Sequence, residues 1–323
     1  MKDPFEELKG KVQKAKNRPE LELLRPDELV DNYVKSIIRA KEHPIGFGMP
    51  KLDDELRGDL RGKIGAFIGY GGTRKSLLAL NMTNYNAHHN RTNAIYSTME
   101  MSYNAMLSRM LDYSTDSGIE GTNASAFIWD DLDKENMNTY INRMKKSFVN
   151  FYADSILLNQ KNGMTYKEYK ALFNKAKDMN KNIDILAVDG LSMMGGNGNE
   201  TEKVNENTLM LKELSKEENV FIPLICHASR GESKHCRDLF NKVRGSEKII
   251  DNVDLALTCS LIQRYQNPDE YEKESGYIRL WNKRDSGNTI DVVYDFYPTR
   301  LIMEESTRKP EEVEIENKNN KLF

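Results

Sequence analysis

Apolar and polar positions along this chain alternate in two rhythms. One is the near-continuous short run: KIGAFIGY at 63–70, NAIYSTME at 93–100, IDILAVDG at 183–190 and VFIPLICHAS at 220–229. Runs of that length and continuity suit strands buried on both faces of a parallel sheet. The other is the helical stripe. Val30, Tyr33, Val34, Ile37 and Ile38 form one in RPDELVDNYVKSIIRAKEHP, opened by Pro26 and closed by Pro44. Tyr166, Tyr169, Leu172, Phe173, Ala176 and Met179 form another, behind a Thr165–Glu168 capping pair. SLLALNMTNYNAHH has the length and leucine content of a buried helix, SYNAMLSRMLDYS predicts a helix after the second strand, and a further helix is expected over about 203–218.

Strands and helices alternating from residue 63 predict an α/β fold, a mostly parallel twisted sheet with helices on both faces. Three later β-rich runs, VDLALTCSLI, YIRLWNKR and TIDVVYDFY, predict antiparallel strands at one edge. The expected organisation is a helical linker segment over 1–44, one large domain over 45–303, and a polar disordered tail over 304–323. Residues 114–135 read as loop with some helix. The 26–42 stripe must be covered, either by its own domain or by a neighbouring subunit.

Composition narrows the class. With 30% charged residues, a net charge of −3 and 38% hydrophobic residues, the chain is soluble, has a real core and is not a nucleic-acid-coating polycation, so any polyanion site is a local patch. It has no bilayer-length apolar run and no secretory signal, and its three cysteines, Cys226, Cys236 and Cys259, are too scattered for a disulfide framework or a zinc site. A cytoplasmic location is expected.

Residues 69–76, GYGGTRKS, follow the first strand and open a helix. That is the context a phosphate loop needs: glycines whose backbone N–H groups face phosphate, and the positive end of a helix behind them. Gly69, Gly71, Gly72, Thr73 and Arg74 make the loop, Lys75 is placed to reach the β- and γ-phosphates, and Ser76 to ligand Mg²⁺. Arg74 stands where the pattern asks for glycine. It fits if its φ is negative, or at a modest strain cost, with its guanidinium turned outward or set beside the phosphates. The expectation is reduced affinity or rate, with no loss on Arg74→Gly. Asp189 ends one apolar strand, where an aspartate hydrogen-bonds water on Mg²⁺, and Glu100 ends another, where a carboxylate polarises the attacking water. Either alone is a common solvated strand-end acid; with Lys75 and Ser76 they form a set. His227, ending VFIPLICHAS, points at the same cleft if its strand lies beside that of Asp189.

The order of these motifs resembles the RecA-like P-loop ATPase domain of hexameric replicative helicases, the DnaB family and its phage relatives. IGFGMPKLDDELRGDLRGKIGAFIGYGGTRKSLLALNM resembles the family's "G-x-x-x-LD" turn and Walker A loop, YSTMEMSYNAMLSRML its "SLEMS" segment, and IDILAVDGLSMM its Walker B strand. LKELSKEENVFIPLICHASR, VRGSEKIIDNVDLAL and IRLWNKRDSGNT resemble later segments of the same domain. The resemblance spans about residues 45–303, and it leaves too few residues ahead of them for the family's large N-terminal domain. It implies ATP and Mg²⁺ as cofactors, Glu100 as the catalytic carboxylate and His227 as the γ-phosphate sensor. It makes Arg284 an arginine finger reaching a neighbour's nucleotide, with Lys283 able to share that role, although Asn282 replaces a usual lysine. It also implies ring assembly, 5′-to-3′ movement on single-stranded DNA, and primase or other replisome proteins as partners.

Two stretches are candidates for the DNA surface. One is 195–206. The other is 229–248, which concentrates basic groups including Arg230, Lys242, Arg244 and Lys248 and holds only Phe240 as an aromatic, so phosphate contact is expected before base stacking. Arg244, Gly245, Ser246 and Lys248 match the family's DNA-touching segment. A filament-forming recombinase-like ATPase and a non-motor accessory or loader protein with a degenerate loop are the alternative readings.

Overall fold

The computed structural model describes residues 26–56, 59–114, 155–229, 248–264, 274–282, 284–297 and 302–309, with residues 142, 145, 146, 239, 240 and 243. The chain divides into two compact units, Met1–Lys41 and Glu42–Phe323. The first contributes most of helix α1, Pro26–Glu42, whose last turn carries Arg39 and Lys41 against the negative end of the helix dipole. Its apolar stripe is exposed in this single chain, from 47% at Val34 and Ile37 to 66% at Tyr33.

The second unit is built on a nine-stranded sheet of order β3-β2-β4-β5-β1-β6-β7-β8-β9. The strands are β1 Ile64–Gly69, β2 Asn93–Thr98, β3 Ile156–Asn159, β4 Ile183–Asp189, β5 Ile222–His227, β6 Leu255–Arg264, β7 Glu274–Trp281, β8 Thr289–Tyr297 and β9 Ile302–Glu305. The first six in chain order pair in parallel, and the last three add antiparallel. This is the expected mostly parallel sheet with an antiparallel edge. Alternation along β1 divides the core. Phe67 packs with helix α3, Lys75–His89, on one face. Ile64, Ala66 and Ile68 pack on the other with helices α5, Tyr166–Asp178, and α6, Glu200–Glu217. Helix α3 is buried continuously from Leu77 to Asn84; its buried polar side chains Asn81 and Thr83 bond back to the carbonyls of Leu77 and Ala79 four residues earlier. The capping box predicted at Thr165 is present, and a second, unforeseen one pairs Asn199 with Glu202 ahead of α6.

Besides a single 3-10 turn at Leu191–Met193, four described elements have no counterpart in the sequence reading: helix α2, Pro50–Glu55, the short strands β3 and β9, and helix α7, Lys248–Asn252. Each of the four spans four to six residues, too few to show a period. The expected disordered tail is corrected at its start. β9 runs through Glu305, Ser306 N donates to Val293 O, and Arg308 donates to Asp295, because added pairing with β8 satisfies this polar segment's backbone. Residues 310–323, and most of 114–135, lie outside the described residues. Helix α4, Tyr103–Ser114, lies where it was predicted.

Beyond the site, two polar arrangements fix the frame. Asp53 accepts from Phe47 N at 2.5 Å and Gly48 N at 3.0 Å, which folds the G-x-x-x-LD turn; Gly48 has φ +73° with the Tyr85 ring against it, so no side chain fits there. At the amino ends of the strands Arg61 is fully buried. It donates to Asp184 Oδ1 from Nε at 2.9 Å and Nη2 at 2.7 Å, to Asp59 Oδ1 from Nη1 at 2.9 Å, and to His43 O at 2.8 Å.

Candidate nucleotide site

The parallel register brings the carboxyl ends of β1, β2, β4 and β5 to one edge. Gly69 lies beside His227, and Thr98 beside Asp189. Ligand crevices in open α/β sheets lie outside such ends. Gly69 leaves β1 at a point where a β-carbon would meet Thr73 Oγ1 at 2.3 Å and the Cys259 carbonyl at 2.8 Å, so only glycine passes. Thr73 N and Oγ1 both donate to Tyr70 O, at 3.4 and 2.9 Å, closing the turn. Lys75, the first residue of α3, is 4% exposed and donates from Nζ to Tyr70 O at 2.7 Å. Burial pushes its ammonium below the ordinary lysine range, while neighbouring anionic groups, Glu100 and Asp189 among them, act to raise it. A buried cation held by one carbonyl is poised to exchange that partner for an anion.

Ser76 Oγ donates to Asp189 Oδ1 at 3.0 Å. Asp189 is fully buried; burial and the Glu100 charge push its carboxyl up to about 6, against hydrogen bonds from Ser76 and Tyr96. A hydroxyl and a carboxylate meeting at a phosphate loop are hard oxygen donors of the kind Mg²⁺ takes. Tyr96 was missed by the sequence reading. Its hydroxyl donates to Asp189 Oδ2 at 3.3 Å and lies 3.1 Å from Ser76 O, tying the second strand to the loop and the aspartate at once. The legible signal was a tyrosine inside a fully buried run, whose O–H must find a partner.

Glu100 and His227, predicted separately, meet: His227 Nε2 and Glu100 Oε1 are 2.8 Å apart, with side chains 33% and 30% exposed. That hydrogen bond, with help from the histidine and Lys75 charges, holds the Glu100 carboxyl below its ordinary range against burial. Glu100 is therefore ionised at neutral pH and can accept a proton.

Arg74 adopts φ +68°, ψ 19°. The negative-φ alternative is thus excluded, and the residue occupies the left-handed region that favours glycine, at a cost of about 1–2 kcal/mol. Its guanidinium carbon lies 4.6 Å from the centroid of the Phe296 ring. Such contacts contribute about 0.5–2 kcal/mol, which is the size of the strain.

Arg284 is at the other edge. Its N donates to Asp254 O at 3.2 Å and its Nε to Asp254 Oδ1 at 2.7 Å, while Asp254 Oδ2 accepts from Ile64 N at 2.9 Å, at the start of β1. Lys212 Nζ is 3.7 Å from the same Oδ1. A six-residue strand separates this edge from the phosphate loop, about 20 Å. Lys283, Arg230, Lys242, Arg244, Gly245 and Ser246 lie outside the described residues. Lys248 opens helix α7, Lys248–Asn252, and is exposed. Phe240 packs edge-on against Trp281, with centroids 5.7 Å apart.

Residues 45–301 match the family model of the DnaB-like helicase C-terminal domain. The chain belongs to that family. Among solved structures, the ATPase domain of a phage helicase aligns with a TM-score of 0.69 at 15% identity, covering 88% of this chain and all of that one. A DnaB-like replicative helicase, described with its interactions with primase, aligns at 0.62 and 15% identity, covering 95% of this chain and 73% of that one. A KaiC-like protein from Pyrococcus horikoshii OT3 aligns at 0.51 and 15% identity, over 81% and 98%. At such identities the likeness shows the fold, a RecA-like core. No curated protein matches in a direct sequence comparison. Membership in the DnaB-like family makes this a nucleotide-binding helicase domain of the replicative type, and among the described residues no helix is long and apolar enough to cross a membrane.

Proposed function

We propose that this chain hydrolyses ATP to drive 5′-to-3′ movement along single-stranded DNA, working as a ring of copies, six by the family's pattern. The observation that carries the reading is the division of catalytic groups between two edges of one sheet. Lys75, Ser76, Asp189, Glu100 and His227 converge at the carboxyl ends, while Arg284 stands about 20 Å away, at the start of β1. An arginine so placed cannot serve its own nucleotide. It can serve a second copy, and hydrolysis then depends on assembly.

The residues perform separable tasks. Lys75 leaves the Tyr70 carbonyl for the β- and γ-phosphates. Ser76 and Asp189 would hold Mg²⁺, which supplies charge neutralisation on the phosphates when bound. Tyr96 keeps the Asp189 carboxylate turned toward Ser76. Glu100 orients and deprotonates the attacking water. His227, hydrogen-bonded to Glu100, turns to the γ-phosphoryl, so that occupancy of the site and release of the base are one event. Asp254 grips Arg284 through Nε and leaves its terminal nitrogens toward the partner. Arg230, Lys242, Arg244, Gly245, Ser246 and Lys248 track DNA phosphates, and the α1 stripe is covered by the adjoining copy. Primase or other replisome proteins are the further partners this reading expects.

The test is ATPase activity with and without single-stranded DNA, alongside mass photometry with an ATP analogue. Stimulation by DNA and a closed multiple of the chain mass are expected; basal turnover alone from a monomer overturns the proposal.

A further inference from the structure

Arg74 breaks the phosphate-loop pattern, and its surroundings suggest why it is there. The crown of the loop is thinly supported. Gly71 and Gly72 are exposed, and a β-carbon on either would meet nothing within 4 Å. The Arg74 side chain instead reaches Phe296, which is 0% exposed and sits in β8 between β7 and β9, a rigid anchor. The reach is not accidental to the packing. Seven residues further along α3, two helical turns and so on the same face, Asn81 Oδ1 accepts from Met303 N of β9 at 3.0 Å. Met303 is the register partner of Phe296. One face of α3, from its first turn through Asn81, is thus fastened to the β8–β9 pair at two points, and Arg74 is the point nearest the phosphates.

We propose that Arg74 is a positioning residue: its guanidinium, seated on the Phe296 ring, ties the phosphate loop to β8 and holds the loop backbone in the left-handed conformation that receives a triphosphate. A glycine adopts that conformation without strain but does not hold it. The arginine adopts it under strain and is kept there by its side chain. The inference rests on the nucleotide reading above, and it replaces the expectation that glycine would serve equally well at this position.

Calorimetric binding of a non-hydrolysable ATP analogue with Mg²⁺, in a cycle of wild type, Arg74→Gly, Phe296→Leu and the double variant, tests it. Each single change weakens binding about five-fold, the scale of a partly desolvated cation–π contact. The double variant is within about two-fold of the weaker single, because both remove one contact. Arg74→Lys, which keeps a cation over the ring, recovers part of the loss. In the nucleotide-free protein, amide hydrogen exchange over 70–76 is faster in Arg74→Gly than in wild type. Losses that multiply in the double variant, or an Arg74→Gly protein that binds as tightly as wild type with unchanged exchange, overturn the tether. Wild-type protein that takes up no nucleotide defeats the ATPase reading instead, and the exchange comparison still decides the tether.

Discussion

Both ends of the central sheet are crowded with charge, yet they are built on opposite terms. At the amino ends, Arg61 is wholly enclosed and donates to Asp184, Asp59 and the His43 carbonyl at 2.7–2.9 Å. Four of its five N–H donors are thus committed to acceptors inside the fold. At the carboxyl ends, Lys75 is held by a single loop carbonyl, and Glu100 and His227 hold each other while remaining about a third exposed. Charge density alone does not distinguish a site from a brace. What distinguishes them is whether a group's present partner can be exchanged for a ligand.

The sharpest way to break that comparison is to remove the central cation of each end. Lys75→Ala is expected to lower ATP turnover at least about 10²-fold, as loss of a transition-state cation does. Melting should shift by no more than a few degrees, since the ammonium is already penalised by burial. Turnover assays and thermal melts check this; equal turnover in wild type and variant would return the site to a degenerate, non-motor reading. Arg61→Ala should do the reverse. It strands Asp184 and Asp59 without their guanidinium and is expected to cost about 3–5 kcal/mol of stability, measured by urea unfolding. Nucleotide affinity per folded molecule should stay as in wild type. An Arg61 variant that folds normally but binds nucleotide poorly would erase the distinction.

The two ends also differ in how far the sequence disclosed them. The carboxyl end was legible because strand-terminal Glu100, Asp189 and His227 and the 69–76 loop each announce themselves by position, and parallel pairing can only gather them at one edge. The sequence did not disclose their mutual contacts: the Glu100–His227 hydrogen bond depends on β5 lying next to β4 and β1, an adjacency that chain order does not specify. Tyr96 and Phe296 went unnoticed because an aromatic residue in a buried strand reads as core whether or not its ring or hydroxyl does more. The amino end was scarcely legible at all. Arg61 and Asp184 are 123 residues apart, and a lone arginine beside Gly62 looks like any solvated turn. The fold class, by contrast, followed directly from the alternation of near-continuous apolar runs with amphipathic helical stripes, whereas the missed α2, α7, β3 and β9 are too short to show either signal.

The smallest effect has the most informative sign. Asp189 sits at the working end with its carboxyl raised to about 6 from an ordinary 3.8, first by burial and then by the Glu100 charge. Between those values the folded protein binds more protons here than the unfolded chain does, so this group's contribution to stability falls as pH rises through that window. Above about 6 the full penalty of a buried carboxylate is present, on the order of 3 kcal/mol. Asp189→Asn removes the charge but keeps one oxygen for Ser76 or Tyr96, so only part of that penalty is recovered. With divalent cations chelated, the variant should melt a few degrees above wild type at pH 7.5, and the gain should fade as pH falls toward 4, where wild-type Asp189 is itself neutral. An equivalent neutralisation at the amino end, Asp184→Asn, should instead lower the melting temperature at pH 7.5, because Arg61 would lose the charge of its principal partner. If both substitutions shift the melt in the same direction, the carboxyl end is braced like the amino end, and the charges gathered there do not sit at the expense of stability.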